Sequence, residues 1–220
     1  MAHAPKILAQ TASLFVTLAA LSAPACSSEP VDGEPRAVRA EVRAAALSSL
    51  DCARGRGLVA ADASVITVID YSLPSTARRL WVLDAETGAT LFNERVTHGK
   101  NSGGGRAERF SNVEGSKQSS LGVFRTAETY RGKHGYSLRL DGLEPDHNDN
   151  ARARAIVIHG ADYNSDGFIA EHGRLGRSWG CPALDKAVAT PLINTIKEGT
   201  LLVTWYPDTA WLTGSTFLHC

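Results

Sequence analysis

Apolar residues along this chain recur with two different periods. Between Arg36 and Leu50, Val38, Val42, Ala45 and Leu47 stand near helical spacing in a segment rich in alanine, arginine and glutamate. That pattern predicts a helix ending before the break at Gly55 and Gly57. From Ser64 onward the runs become short. Val65–Ile69, Arg79–Leu83, Thr90–Val96, Gly122–Thr126, Tyr136–Leu140, Ala155–His159 and Leu201–Tyr206 read as strands, separated by turn signals such as Asp84–Gly88 and Asp141-Gly142. So many short strands predict a mainly β domain, a sandwich or barrel. One helical stretch interrupts them after Cys181, where Leu184, Val188, Leu192 and Ile196 recur every fourth position until Gly199. Pro191 lies inside it, so the helix either kinks there or restarts with Thr190 as cap and Pro191 in the first turn.

The first residues add a different signal. Lys6 precedes a mostly apolar run, Ile7 to Leu21, which meets the small residues Ser22-Ala-Pro-Ala-Cys26. This order reads as an export signal rather than a membrane-spanning helix. Cleavage after Ala23 gives plain secretion, whereas cleavage after Ala25 leaves Cys26 N-terminal, the lipid-bearing position of bacterial lipoproteins, with a membrane tether. The chain is thereby divided into a signal over 1–25, a linker and short helix over 26–60, a β domain over 61–207 and a tail over 208–220. The expected location is the periplasm or cell envelope. The 23 basic and 23 acidic side chains cancel, and no basic stripe interrupts the sequence. Nucleic acid is not an expected partner, and oligomeric state is left open. In an oxidising compartment cysteines tend to pair. With Cys26 lost or lipidated, Cys52, Cys181 and Cys220 leave an odd thiol. A clasp between Cys52 and Cys220 would free Cys181; the alternative puts Cys181 in a structural bridge.

Two segments carry the candidate chemistry: Ala155-Ile-Val-Ile-His159-Gly160 and Arg177-Ser-Trp-Gly-Cys181-Pro182-Ala183. A histidine at the end of an apolar strand and a cysteine on a glycine turn could form a base and its nucleophile. A strand-end histidine by itself is more often structural. If Pro182 opens the following helix, Cys181 sits at its positive end, where a thiolate is favoured; if Asp185 caps it, the helix begins downstream. Gly180 permits close approach of a substrate, and the amides of Trp179, Gly180 and Cys181 could converge on an acyl oxyanion.

These segments resemble the active-site signature of the L,D-transpeptidase catalytic domain, in which a histidine-glycine pair is joined by a loop to a Ser-X-Gly-Cys turn. The branch most similar is the murein L,D-transpeptidases with Arg-Ser-Trp-Gly-Cys-Pro-Ala and Ile-His-Gly-Ala-Asp-Tyr, here Arg177 to Ala183 and Ile158 to Tyr163. The likeness runs from about Ile66 to Trp205 through Thr97–Gly103, Ser120–Phe124, His134–Leu143 and Asn148–Arg152. It implies an L,D-transpeptidase-like β-sandwich or barrel with a helix after the cysteine, and a ping-pong reaction on peptidoglycan stem peptides without a cofactor. Cys181 would form a thioester after expelling a terminal D-alanine, His159 would carry the proton, and Ser178 would support the turn. Better-known members have histidine at position 179 and arginine or asparagine at position 183. Trp179 and Ala183 stand here instead, which leaves Arg174 or Arg177 to hold a substrate carboxylate. Arg139 either lines the groove or pairs on the surface, and Tyr163 falls within the histidine motif as a further binding candidate. Crosslinking is the expected outcome; L,D-carboxypeptidase action with water as acceptor, or a non-catalytic wall-binding lipoprotein, are the alternatives.

Other motifs compete weakly. Asp162-Tyr-Asn164-Ser-Asp166-Gly167 imitates the start of a calcium loop, but Gly173 occupies the twelfth position, where glutamate is needed, so an Asx-rich turn is expected. A zinc site from His98, His134, His159, His172 and Cys181 lacks metal-ligand spacing, and no metal is expected. His98 and His134 are nevertheless candidates for closeness to Cys181. The loop Lys100–Gly105 lacks phosphate-loop spacing and reads as a mobile turn.

Overall fold

The computed structural model describes residues 1–3 and 37–220. The export signal, the Cys26 position and most of the linker therefore lie outside the described residues. In chain order the elements are α1 (Ala40–Gly55), β1 (Val65–Asp70), β2 (Leu80–Asp84), β3 (Thr90–Glu94), β4 (Gly122–Gly132), β5 (Gly135–Gly142), β6 (Val157–Gly160), α2 (Asp166–His172), β7 (Ala183–Leu184), α3 (Lys186–Ile196), β8 (Leu201–Trp205) and α4 (Thr209–Gly214). The strands form one mixed sheet in the order β3-β2-β1-β8-β4-β5-β6-β7, with β1–β8 and β6–β7 parallel and the other pairs antiparallel.

Each strand expected from the sequence is present, and the protein is a nearly closed β-barrel or sandwich. The central strands β1 and β8 are buried on both faces, which explains why Ile66, Val68, Ile69, Leu201, Leu202 and Val203 form near-continuous apolar runs. Helix α1 covers them with Val42, Ala46, Leu50 and Ala53. This buried stripe differs from the expected one: Val38 precedes the helix, and Ala45 and Leu47 are only half-buried. Its start is anchored by Arg39, which pairs with the buried Asp70 at the end of β1 at 2.8 Å.

The two ends of the sheet are bridged by the chain after β3. Thr97 donates its N–H to the Ala183 carbonyl at 3.0 Å, Ser178 donates its N–H to the His98 carbonyl at 3.0 Å, and Lys100 donates its N–H to the Ser178 carbonyl at 2.8 Å. A buried guanidinium fixes this strap: Arg79 donates to the Val96 carbonyl through Nε and Nη2, at 3.0 and 2.8 Å. Strap and barrel edge together form the floor under residues 178–183.

The structure decides two alternatives that the sequence leaves open. Helix α3 begins after Asp185, whose carboxylate accepts from Ala187 N at 2.8 Å, so Cys181 does not lie at its positive end. The reason is the parallel pairing of Ala183 and Leu184 with His159 and Gly160, which holds those residues extended. Nor does Pro191 restart the helix, which continues through it to Ile196. The C-terminal stretch packs against the barrel: Trp211 and Phe217 are buried, and the buried Glu144 accepts from Trp211 Nε1 at 3.0 Å, Val123 N at 2.7 Å and the Ser215 hydroxyl.

Cys52 and Cys220 form a disulfide that ties α1 to this C-terminal stretch. Converting both to serine is expected to lower unfolding free energy by about 2–5 kcal/mol, read from urea denaturation with and without reductant; the variant should be insensitive to reductant.

Candidate active site

Strand β6 is hydrophobic until its last turn of side chains, and this places His159 in the barrel wall with its backbone opposite Ser137 on one side and Ala183 on the other. Its Nδ1 lies 2.9 Å from the Gly160 carbonyl. Donation from Nδ1–H fixes the tautomer and leaves Nε2 as the acceptor. Burial pushes the imidazole below its ordinary value, and the neighbouring His134, stacked at a centroid distance of 4.4 Å, pushes in the same direction. His159 is therefore held neutral.

The turn carrying Cys181 is closed by one hydroxyl. Ser178 Oγ donates to the Cys181 carbonyl at 2.6 Å and accepts from Gly180 N at 3.0 Å. Behind it, the backbone of Ser178 is clamped by His98 and Lys100 of the strap. Gly180 has φ +123°, and a Cβ there would stand 2.7 Å from the Gln118 carbonyl oxygen. Neither condition admits a side chain. The Gly180 amide is spent on Ser178, whereas the Trp179 and Cys181 N–H groups have no hydrogen-bond partner among the described residues.

Cys181 is an unpaired thiol. Its Sγ is 3.7 Å from the carbonyl of Ala155, a residue held at φ +53°. Burial pushes this thiol up, opposed by the Val157 amide and the Arg154 guanidinium. At rest the pair is thus a neutral thiol and a neutral imidazole. No hydrogen bond joins them among the described residues, but both line one cavity of about 400 Å³.

That cavity also takes in Tyr163, Arg177, Ser178 and Trp179 from the sequence expectations. Trp179 is 70% exposed, with Lys117 Nζ 4.7 Å from its ring centroid. Burial pushes the Tyr163 hydroxyl up to about 12, keeping it a donor. Arg177 donates to the Lys100 and Gly103 carbonyls at 3.2 and 2.9 Å while lining the cavity. Arg174 and Arg139 lie outside its walls. Arg174 is turned onto the Leu175 carbonyl, and Arg139 is neutralised by Glu128 of the adjacent strand at 3.0 Å, the surface pairing rather than the groove.

Tyr130, Lys133, His134 and Arg154 complete the wall. The sequence does not single out Arg154, because nothing in its local pattern distinguishes it from its neighbour Arg152. It donates to the Ser111 and Gln118 carbonyls and the Ser120 hydroxyl, each at 2.6 Å, and so ties the loop before β4 to the cavity. His98 is buried elsewhere: Arg79 Nη2 lies 2.8 Å from its Nδ1, and burial with that cation holds it down at about 4.

The acidic segment that imitates a calcium loop has its side chains engaged elsewhere. Asp162 pairs with Lys186 at 2.6 Å and Asp166 with Arg95, while buried Asn164 donates to the Arg95 and Ala183 carbonyls. The segment opens α2, capped by Ser165. No grouping of three or more metal-ligating side chains occurs among the described residues. A larger groove of about 810 Å³, between Gly57–Val65, Arg125–Glu128 and Glu198–Thr200, includes neither Cys181 nor His159.

The profile of the L,D-transpeptidase catalytic domain family matches residues 35–205. Among solved structures, an L,D-transpeptidase from Mycobacterium smegmatis is similar at 14% identity and a TM-score of 0.40, with 65% of this chain and 59% of that chain covered. The helical cell shape determining protein from Campylobacter jejuni shares 12% identity at a TM-score of 0.43, with 74% and 57% covered. An L,D-transpeptidase from Enterococcus faecium shares 14% at a TM-score of 0.38, with 64% and 50% covered. The alignments thus span between half and three fifths of these proteins. No curated protein matches the sequence. With the family profile extending from before α1 to the end of β8, the chain belongs to the L,D-transpeptidase catalytic domain family.

Proposed function

We propose that this protein is an exported cysteine acyltransferase of the bacterial cell envelope, acting on peptidoglycan stem peptides by the L,D-transpeptidase reaction. One observation carries the reading: the unpaired thiol Cys181 shares a cavity with an imidazole whose tautomer is fixed by Gly160. The order of residues at the N-terminus supports export, with Cys26 as a candidate tether.

Because burial raises the thiol and lowers the imidazole, general-base attack is favoured over a preformed thiolate–imidazolium pair. As the substrate enters, the Cys181 S–H turns from the Ala155 carbonyl and its proton passes from Sγ to Nε2 of His159. Sγ then bonds to the carbonyl carbon of the L-centre at the third stem residue, and the oxygen takes up negative charge near the Trp179 and Cys181 amides. Collapse breaks the bond to the terminal D-alanine, whose amine receives the proton from His159. An acceptor amine, deprotonated by His159, resolves the thioester and restores the thiol. Water in its place would make the protein an L,D-carboxypeptidase. Ser178, Gly180 and the strap act by holding the turn.

Incubation with tetrapeptide muropeptides carrying meso-diaminopimelate should give an acyl adduct on the protein by mass spectrometry, absent from Cys181→Ala. Crosslinked dimers would identify the amine acceptor, and tripeptides alone would identify water. Absence of both adduct and turnover from reduced protein would reject the reading in favour of a wall-binding role.

The depressed imidazole fixes the sign of the pH dependence. His159 stays neutral to lower pH than a free histidine, so the acidic limb of single-turnover acylation should have its midpoint below 6.5. A midpoint above that value would contradict general-base action by this residue. Gly180→Ala meets both the positive φ and the Gln118 carbonyl, and is expected to slow acylation about a hundredfold by displacing the amides beside Cys181; an unchanged rate would mean the turn tolerates a shift.

A further inference from the structure

The walls of the Cys181 cavity carry three cations, Lys133, Arg154 and Arg177, and no carboxylate. A concave site with uncompensated positive charge attracts an anion. Two of the cations are already engaged: Arg154 points its guanidinium at carbonyl and hydroxyl oxygens, and Arg177 at two carbonyls. Lys133 has no hydrogen bond or ion pair among the described residues. It also lines the adjoining cavity of about 370 Å³, whose one acid, Asp162, is paired with Lys186.

The position of Lys133 is set by the fold. Gly132 and Gly135 pair across the end of β4 and β5, and Lys133-His134 form the two-residue turn between them, with Gly135 at φ +75°. His134 stacks on His159, so the turn is seated beside the reacting pair. An ammonium on a flexible stem there reaches a ligand group that the engaged guanidinium groups attract by field alone.

We infer that Lys133 is a specificity-determining residue that takes a carboxylate of the ligand bound beside Cys181, from a turn held in place by the His134–His159 stack. The inference deepens the stem-peptide reading and rests on it for the ligand's identity. The donor peptide has two carboxylates that fit: the side-chain carboxylate of the third residue and the terminal carboxylate of the departing D-alanine.

One test is independent of that reading. Iodoacetate and iodoacetamide each alkylate a thiolate with loss of iodide, but only the first is an anion. Their rate constants at Cys181 of the full chain, read by peptide mass spectrometry at low ionic strength, give a ratio. The ratio should fall roughly three- to tenfold in K133Q and be kept in K133R. An unchanged ratio in K133Q would overturn the inference. The second arm uses tetrapeptides amidated at one carboxylate or the other. Discrimination of about tenfold in KM between acid and amide at one position, lost in K133Q, supports the inference and identifies which carboxylate is held. If the ratio falls in K133Q while no peptide acylates the wild type, the carboxylate site stands and the stem-peptide reading fails.

Discussion

A two-residue parallel pairing holds the site together. Ala183 and Leu184 lie against His159 and Gly160, and this brings a turn from one part of the chain to the end of a strand from another. So short a ladder contributes little by itself, and the barrel supplies the rest. The strap after β3 bonds to Ala183 from the other side, Asn164 reaches the same carbonyl, and the Ser178 backbone is gripped between His98 and Lys100. Cys181 is positioned by the committed backbone groups of Ser178 before it and Ala183 after it.

The scaffold under that turn uses buried charge sparingly. Arg79 is wholly buried and forms no ion pair among the described residues, yet its donors end on the Leu73 and Val96 carbonyls and on His98. Loss of any one acceptor would leave a buried cation unsatisfied, which costs far more than a surface bond contributes. The strap is thus fixed where the catalytic turn leans on it. Glu144 does the same at the other end, with Trp211, Ser215 and Val123 as donors. Here the stretch after β8 is stapled to the barrel, and the Cys52–Cys220 bond closes it onto α1. The cavity itself is treated differently. Its three cations meet no acid among the described residues, two of them being held on carbonyl and hydroxyl oxygens, and its thiol and imidazole are both held neutral by burial.

How much of this could be read in advance follows from the range of the interactions. Strands announce themselves through apolar runs such as Leu201–Trp205 and Val65–Asp70, because burial on both faces demands hydrophobic residues at every position. The helix after Cys181 was legible from its fourfold spacing, but its start was not: Asp185 and Pro182 offered equally good local signals, and the β6–β7 pairing decided between them. The C-terminal stretch reads as a tail, since a lone Trp211 and Phe217 have no period, and Trp211 and Ser215 are held by Glu144, far away in sequence. Arginines were the hardest to place. Arg139, Arg174 and Arg177 are alike as residues; whether each meets Glu128, a carbonyl or the cavity is settled by what packs opposite.

The sequence by itself therefore determined what local chemistry encodes: the longer strands but not the two-residue β7, a glycine turn bearing a thiol, a histidine closing an apolar strand, and an odd cysteine beside a pair able to clasp. Only the tertiary structure decided which groups share a cavity. It brought Lys133 and Arg154 to Cys181, took Arg139 and Arg174 away, and moved Cys181 off the helix terminus. The physical reason is that periodicity records whether a position is buried. Which partner it is buried against depends on long-range backbone pairing, and no local window contains that information.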